Sequence, residues 1–223
     1  MSFFDAHLLS LIVAAPFVAA FVAMFLPASQ PGAIRIVSLA SALVSLASAL
    51  RVARLYDLGT GGLQLAESYA LVPDFGIRLA LAVDGWGVSL LLLTGIVITT
   101  GITASWRLEN RVREFFVLLL ALVGGVYGVF VSQDLFVFFL FYEIAVLPMY
   151  LLIGIWGSRG RVEPEGPFAY VWRRFDIGGR EYAAMKLTLM LLVGSAAILV
   201  VLFAMYFEAG ATSFDLGHLG RAD

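Results

Sequence analysis

Long, nearly uninterrupted apolar stretches separated by short polar breaks dominate this chain. Six of them, residues 8–26, 34–52, 86–105, 115–132, 134–156 and 183–207, approach or exceed the roughly 20 residues that a helix needs to cross a bilayer. Barrel strands would instead give short segments of alternating polarity. The pattern therefore predicts an all-α, polytopic membrane protein with about six transmembrane helices, forming one membrane domain over 1–223, with an outer loop at 53–85 and an inner loop at 157–182. The first apolar run is too long for a signal peptide and lacks a basic leader and a small-residue cleavage site, so it is expected to remain as a span.

The breaks carry their own signals. Between the second and third spans, Ile77, Leu79, Leu81 and Val83 alternate with other positions after a Pro73-Asp74 turn, which predicts a short extramembrane hairpin, with an extended linker as the alternative. Asp84-Gly85 reads as the start of the third helix, with Asp84 as its cap. In the fourth span the sequence GGVYG places Gly124, Gly125 and Gly128 as a small-residue face for close helix approach. Gly194 and Ser195 in the sixth span take the same packing reading. The long inner loop, with Pro164, Pro167, Gly178 and Gly179, is expected to fold over the cytoplasmic face as an irregular element.

Composition agrees with the apolar pattern: 61% of residues are hydrophobic and 13% charged, and the mean hydropathy is +0.97. A formal charge of −2 without a long basic cluster gives no reason to expect nucleic acid as a partner. The chain has no cysteine, which excludes disulfides, thiolate-ligated iron–sulfur clusters and thiol catalysis within it. Its two histidines, His7 and His218, lie outside the spans, so no metal or haem site is expected. Arg35, Arg107, Arg111, Arg113, Arg159, Arg161, Arg173, Arg174 and Arg180 fall on one side, against Arg51, Arg54, Arg78 and Arg221 on the other. This bias orients the first group towards the cytoplasm and both termini outside.

Against this background one carboxylate stands out. Glu143 lies in the fifth span about 14 Å from its Asp134 end and about 20 Å from its Trp156 end, at ~1.5 Å per residue. An ionisable group near the midplane costs at least ~2.5–3.5 kcal/mol on insertion scales, and normally faces a wet interior and handles charge. Pro148, five residues on, cannot donate to the carbonyl of Ile144, which predicts a freed acceptor and a kink beside the carboxylate. Glu143 is thus a candidate proton relay, the alternative being a protonated side chain that bonds a neighbouring helix. Tyr142 offers a hydroxyl beside it. Lys186, the chain's single lysine, enters the sixth span about 14 Å axially from Glu143, too far for a direct ion pair. It is a possible relay, or a lysine snorkelling to headgroups. Asp134 reads as a structural cap of the fifth helix.

Taken together, FVSQDLFVFFLFYEIAVLPMYLLIGIWG, then REYAAMKLTLMLLVGS, the closing ATSFDLGHL and the outer LALAVDGWGVSLLLL resemble the antiporter-like proton-pumping subunits of respiratory complex I, subunit M above all. The resemblance spans most of residues 79–219. It implies the N-terminal part of a fold of about fourteen helices with two inverted repeats. It also implies that Glu143 matches an essential fifth-helix glutamate working opposite a lysine of a broken seventh helix, and that Lys186 matches a frequent sixth-helix lysine. By the same resemblance the chain serves NADH:quinone oxidoreductase in the bacterial cytoplasmic membrane as a non-redox translocase subunit. No cofactor is expected in this chain; iron–sulfur clusters, FMN and quinone belong to other subunits. Expected partners are other antiporter-like membrane-arm subunits, the lipid bilayer, and a separate polypeptide carrying the remaining C-terminal helices, since the chain stops before the seventh helix. Cation/proton antiporters and membrane-bound hydrogenases share the fold, and a truncated, non-pumping scaffold is the other alternative.

Overall fold

The computed structural model describes residues 7–158, 179–208 and 214–215. Six long helices are found among them: α1 (Leu8–Phe25), α2 (Pro31–Leu55), α3 (Gly85–Ala104), α4 (Val112–Val131), α5 (Leu135–Trp156) and α6 (Arg180–Glu208). Each is long and apolar enough to cross a membrane. A two-stranded antiparallel hairpin, β1 (Gln64–Val72) and β2 (Ile77–Val83), links α2 to α3. Most of the inner loop, with Arg159, Arg161, Arg173 and Arg174, and most of the closing ATSFDLGHL run lie outside the described residues.

Local chemistry sets the element ends. Pro31 opens α2 at a position where a missing N–H is harmless. The Asp84 side chain accepts from the Gly87 amide at 2.7 Å and caps α3. In the hairpin, Gly76 has φ +66°, a left-handed conformation that closes the short Pro73–Phe75 turn and that other residues adopt at a cost. The α5 helix runs unbroken through Pro148.

The helices pack as a strip in the order α3, α2, α1, α4, α5, α6, with α4 also touching α2 and α3. Ile12, Leu91, Phe116, Tyr127 and Val83 belong to one buried core shared by α1, α3, α4 and the hairpin. The α2 face towards this core is unusually polar: Ser38, Ser41, Ser45 and Ser48 are all buried, small side chains that permit a close approach between helices. At the far edge α6 buries little beyond Ala184, Ser195, Leu202 and Tyr206, a single stripe towards α5.

Glycines explain the tightness at the centre of the strip. A Cβ added at Gly124 would meet the Phe17 ring of α1 at 2.8 Å, and one at Gly125 would meet the backbone carbonyl of Phe141 at 2.9 Å. One at Gly128 would run into the Phe141 ring. Because the obstacle at Gly125 is backbone, it cannot rotate away. Gly125→Val is therefore expected to push α5 off α4 and to lower stability by about 1–3 kcal/mol, the usual penalty of overpacking. Thermal unfolding of the detergent-purified protein would reveal it, and an unchanged midpoint would contradict this packing.

Candidate functional site

On the face of the bundle that carries the hairpin, two acidic side chains fix the frame. Asp134, only 1% exposed, accepts at Oδ1 from the Phe136 and Val137 amides at 2.9 and 3.1 Å. Its Oδ2 accepts from the Arg78 amide of β2 at 3.1 Å. One carboxylate thus caps α5 and ties it to the hairpin. The Gln133 amide donates to the Ala80 carbonyl at 2.8 Å, and the Leu135 amide to the Phe214 carbonyl at 3.0 Å. Phe214 stacks on Tyr206 of α6 at 4.1 Å between ring centroids. The start of α5 and the end of α6 are therefore held together.

Glu67 of β1 does similar work at α1, with little sign of it in the sequence. Only 8% exposed, it accepts from the Leu9 amide at 2.9 Å, from the Ser10 amide at 3.3 Å and, in a short contact, from the Ser10 hydroxyl. The available signal was an uncapped apolar helix start, which needs an acceptor from somewhere. Glu67→Ala is expected to cost about 1–3 kcal/mol by stranding those amides, measurable as faster amide hydrogen exchange at Leu9 and Ser10. Protection equal to the wild type would refute the cap.

At the opposite face, Arg180 of α6 donates to the Ile155 carbonyl of α5 at 2.7 Å. Trp156 donates to the Asn110 carbonyl at 3.0 Å, and Arg35 donates to the Leu108 carbonyl at 2.8 Å. A Cβ on Gly154 would lie 3.7 Å from that of Ala184, so these two residues are opposite one another on antiparallel α5 and α6.

Glu143 lies between these anchored ends. Its side chain is half-buried, and its Oε1 is fully buried with no hydrogen-bond partner among the described residues. Phe141 and Ala145 face α4, while Leu140 and Leu147 on the flank nearest Glu143 are 45% and 63% exposed. The carboxylate is therefore held at the edge of the α5–α6 contact, beside surface that the described residues leave open. Pro148, one turn further on, is buried. Tyr142 is half-buried.

Lys186 is exposed on α6, two residues from the Ala184–Gly154 level. Glu143 is eleven residues from that level along α5, which separates the two charges by about 14 Å along the helix axes at ~1.5 Å per residue. The structure does not bring them together. Among the described residues no group of three His, Cys, Asp or Glu side chains lies close enough to hold a metal ion.

These six helices, with a hairpin over one end and a mid-span glutamate on the fifth, form a multi-pass membrane fold similar to that of complex I membrane-arm subunits. Against solved structures, the chain aligns over 95% of its length with 38% of a chain of respiratory complex I from Thermus thermophilus with bound NADH, at a TM-score of 0.71 and 25% identity. A chain of the Mrp complex from Dietzia, at a TM-score of 0.64 and 19% identity over 92% of this chain and 20% of that one, shares the fold. In sequence, the chain is homologous to proteins named NAD(P)H-quinone oxidoreductase chain 4. It is 37% identical to one from Nostoc over 96% of this chain and 37% of that protein, and 40% identical to one from Synechococcus over 95% of this chain and 36% of that protein. It thus spans little more than a third of the length of these relatives. No protein-family model matches it.

Proposed function

We propose that this chain is the N-terminal, proton-translocating part of an antiporter-like subunit in the membrane arm of a proton-pumping NADH:quinone oxidoreductase. The observation that carries the reading is Glu143: a carboxylate near mid-span, with one oxygen buried and unpartnered, at the edge of the bundle. A group so placed changes its protonation in response to a charge that approaches or leaves. The charge that drives it comes from outside the described residues, and electron transfer proceeds in other subunits that hold the flavin, iron–sulfur clusters and quinone. The exposed side of α6 and the open flank of α5 are where the further helices of such a subunit would pack.

In this reading Lys186 is a stepping position between the cytoplasm and Glu143, bridged by water, and the arginine-rich face is cytoplasmic. Lys186→Ala is expected to slow coupled proton uptake several-fold without abolishing it, as followed by pH-dye quenching in vesicles carrying the complex. Unaltered uptake would make Lys186 a snorkelling residue only. The reading as a whole is tested by Glu143→Gln in the assembled complex: full pumping in that variant rejects it. A sodium-exporting or hydrogen-evolving relative of the same fold is separated by supplying each ion and donor in turn.

A further inference from the structure

Ser195 has no role in the reading above, yet its position is tightly constrained. It is 4% exposed, one of four residues in the α6 stripe that faces α5. Its hydroxyl donates only to the Leu192 carbonyl of its own helix, at 3.1 Å, a bond that one rotation about Cα–Cβ releases. Beside it, a Cβ added at Gly194 would meet nothing within 4 Å.

The register between the two helices places this hydroxyl at the depth of Glu143. Gly154 of α5 faces Ala184 of α6. Glu143 precedes Gly154 by eleven residues and Ser195 follows Ala184 by eleven; eleven residues are three helical turns to within about 20°. Both side chains therefore return to the facing sides of an antiparallel pair, each about 16 Å from the Gly154–Ala184 level. The match holds beyond them: a groove of about 300 Å³ brings Leu135 and Phe138 of α5 together with Val201 and Leu202 of α6.

We infer that Ser195 is the positioning residue of Glu143, its hydroxyl being the hydrogen-bond donor within this chain that meets the otherwise unpartnered Oε1. The role rests on Glu143 acting as the proton relay. With Glu143 ionised, Ser195 donates to it. With Glu143 protonated, the same oxygen accepts the carboxyl proton's hydrogen bond while Ser195 donates again to Leu192. The serine stays neutral in both states and no proton is lost or gained by it.

The test uses the assembled complex in vesicles, with infrared difference spectra and pumping measured on the same preparations. The carboxyl stretch of Glu143 is identified as the band lost in Glu143→Gln. In Ser195→Ala that band is expected to shift and pumping per electron to fall three- to tenfold, and Ser195→Thr, which keeps the hydroxyl, is expected to restore both. Ser195→Cys, similar in volume but a weak donor, should show a smaller shift, and serves if the alanine variant fails to assemble. An unmoved band, unchanged pumping in the variant that assembles, or a threonine variant as impaired as alanine overturns the inference. Full pumping in Glu143→Gln would instead remove the relay reading itself, while the band still reports whether the two groups touch.

Discussion

Replacing Glu143 by glutamine is expected to leave the complex assembled and to reduce proton pumping about 100-fold or more, the scale on which a removed proton-transfer group is felt. Glutamine fills the same volume and keeps an acceptor oxygen, so the packing of Phe141 and Ala145 against the α4 glycines is undisturbed. What is lost is the ability to take up and release a proton at that depth. Glu143→Asp keeps the carboxyl but withdraws it by one methylene, and an intermediate rate is expected. The ordering wild type, aspartate, glutamine distinguishes a relay from a hydrogen-bonding strut, for which glutamine, as an amide of the same length, should serve better than aspartate. Pumping per electron, with quinone reduction as the control for assembly, is the measurement.

Replacing Asp134 by alanine is expected to be the most destabilising single change outside the helix–helix contacts. Three amides lose their acceptor at once: that of Val137, in a buried bond, and those of Phe136 and Arg78, in partly buried ones. At about 1–3 kcal/mol for the buried Val137 amide, and less for the two partly buried ones, the total is on the order of 2–4 kcal/mol. The loss should appear as a lowered unfolding midpoint and as early proteolysis in the hairpin, since the Arg78 bond is one of its few ties to α5. Asp134→Asn is expected to recover roughly half. One amide oxygen still caps the helix, but its NH2 group confronts the Arg78 amide, donor against donor. Equal stability of the alanine variant and the wild type would show that the cap contributes nothing.

Much of the site was legible before any coordinates. Glu143 and Pro148 stand in an apolar run whose length alone sets their depth, because rise per residue in a helix is fixed. Asp84 and Asp134 precede apolar runs, where a carboxylate has an obvious backbone to accept from. The same arithmetic that separated Lys186 from Glu143 in the sequence holds in the fold. Glu67 escaped it because its partners, Leu9 and Ser10, lie far away in sequence, and a strand residue among polar neighbours carries no mark of such a pairing. The serine stripe of α2 escaped for the same reason: a mid-span serine is neutral to hydropathy, and only the neighbour on that face gives it meaning.

The sequence by itself determined the six apolar helices, the hairpin, the capped starts of α3 and α5 and the axial positions of Glu143 and Lys186, since each follows from chain-local periodicity, turn chemistry and helix rise. The tertiary structure alone decided which helices touch, that Gly125 and Gly128 admit Phe141 and Ala145, that Asp134 also holds the hairpin, and that Ser195 comes level with Glu143. Those facts depend on rotation and register between helices. Van der Waals fit and the pairing of buried amides set these, and neither can be summed along one chain segment.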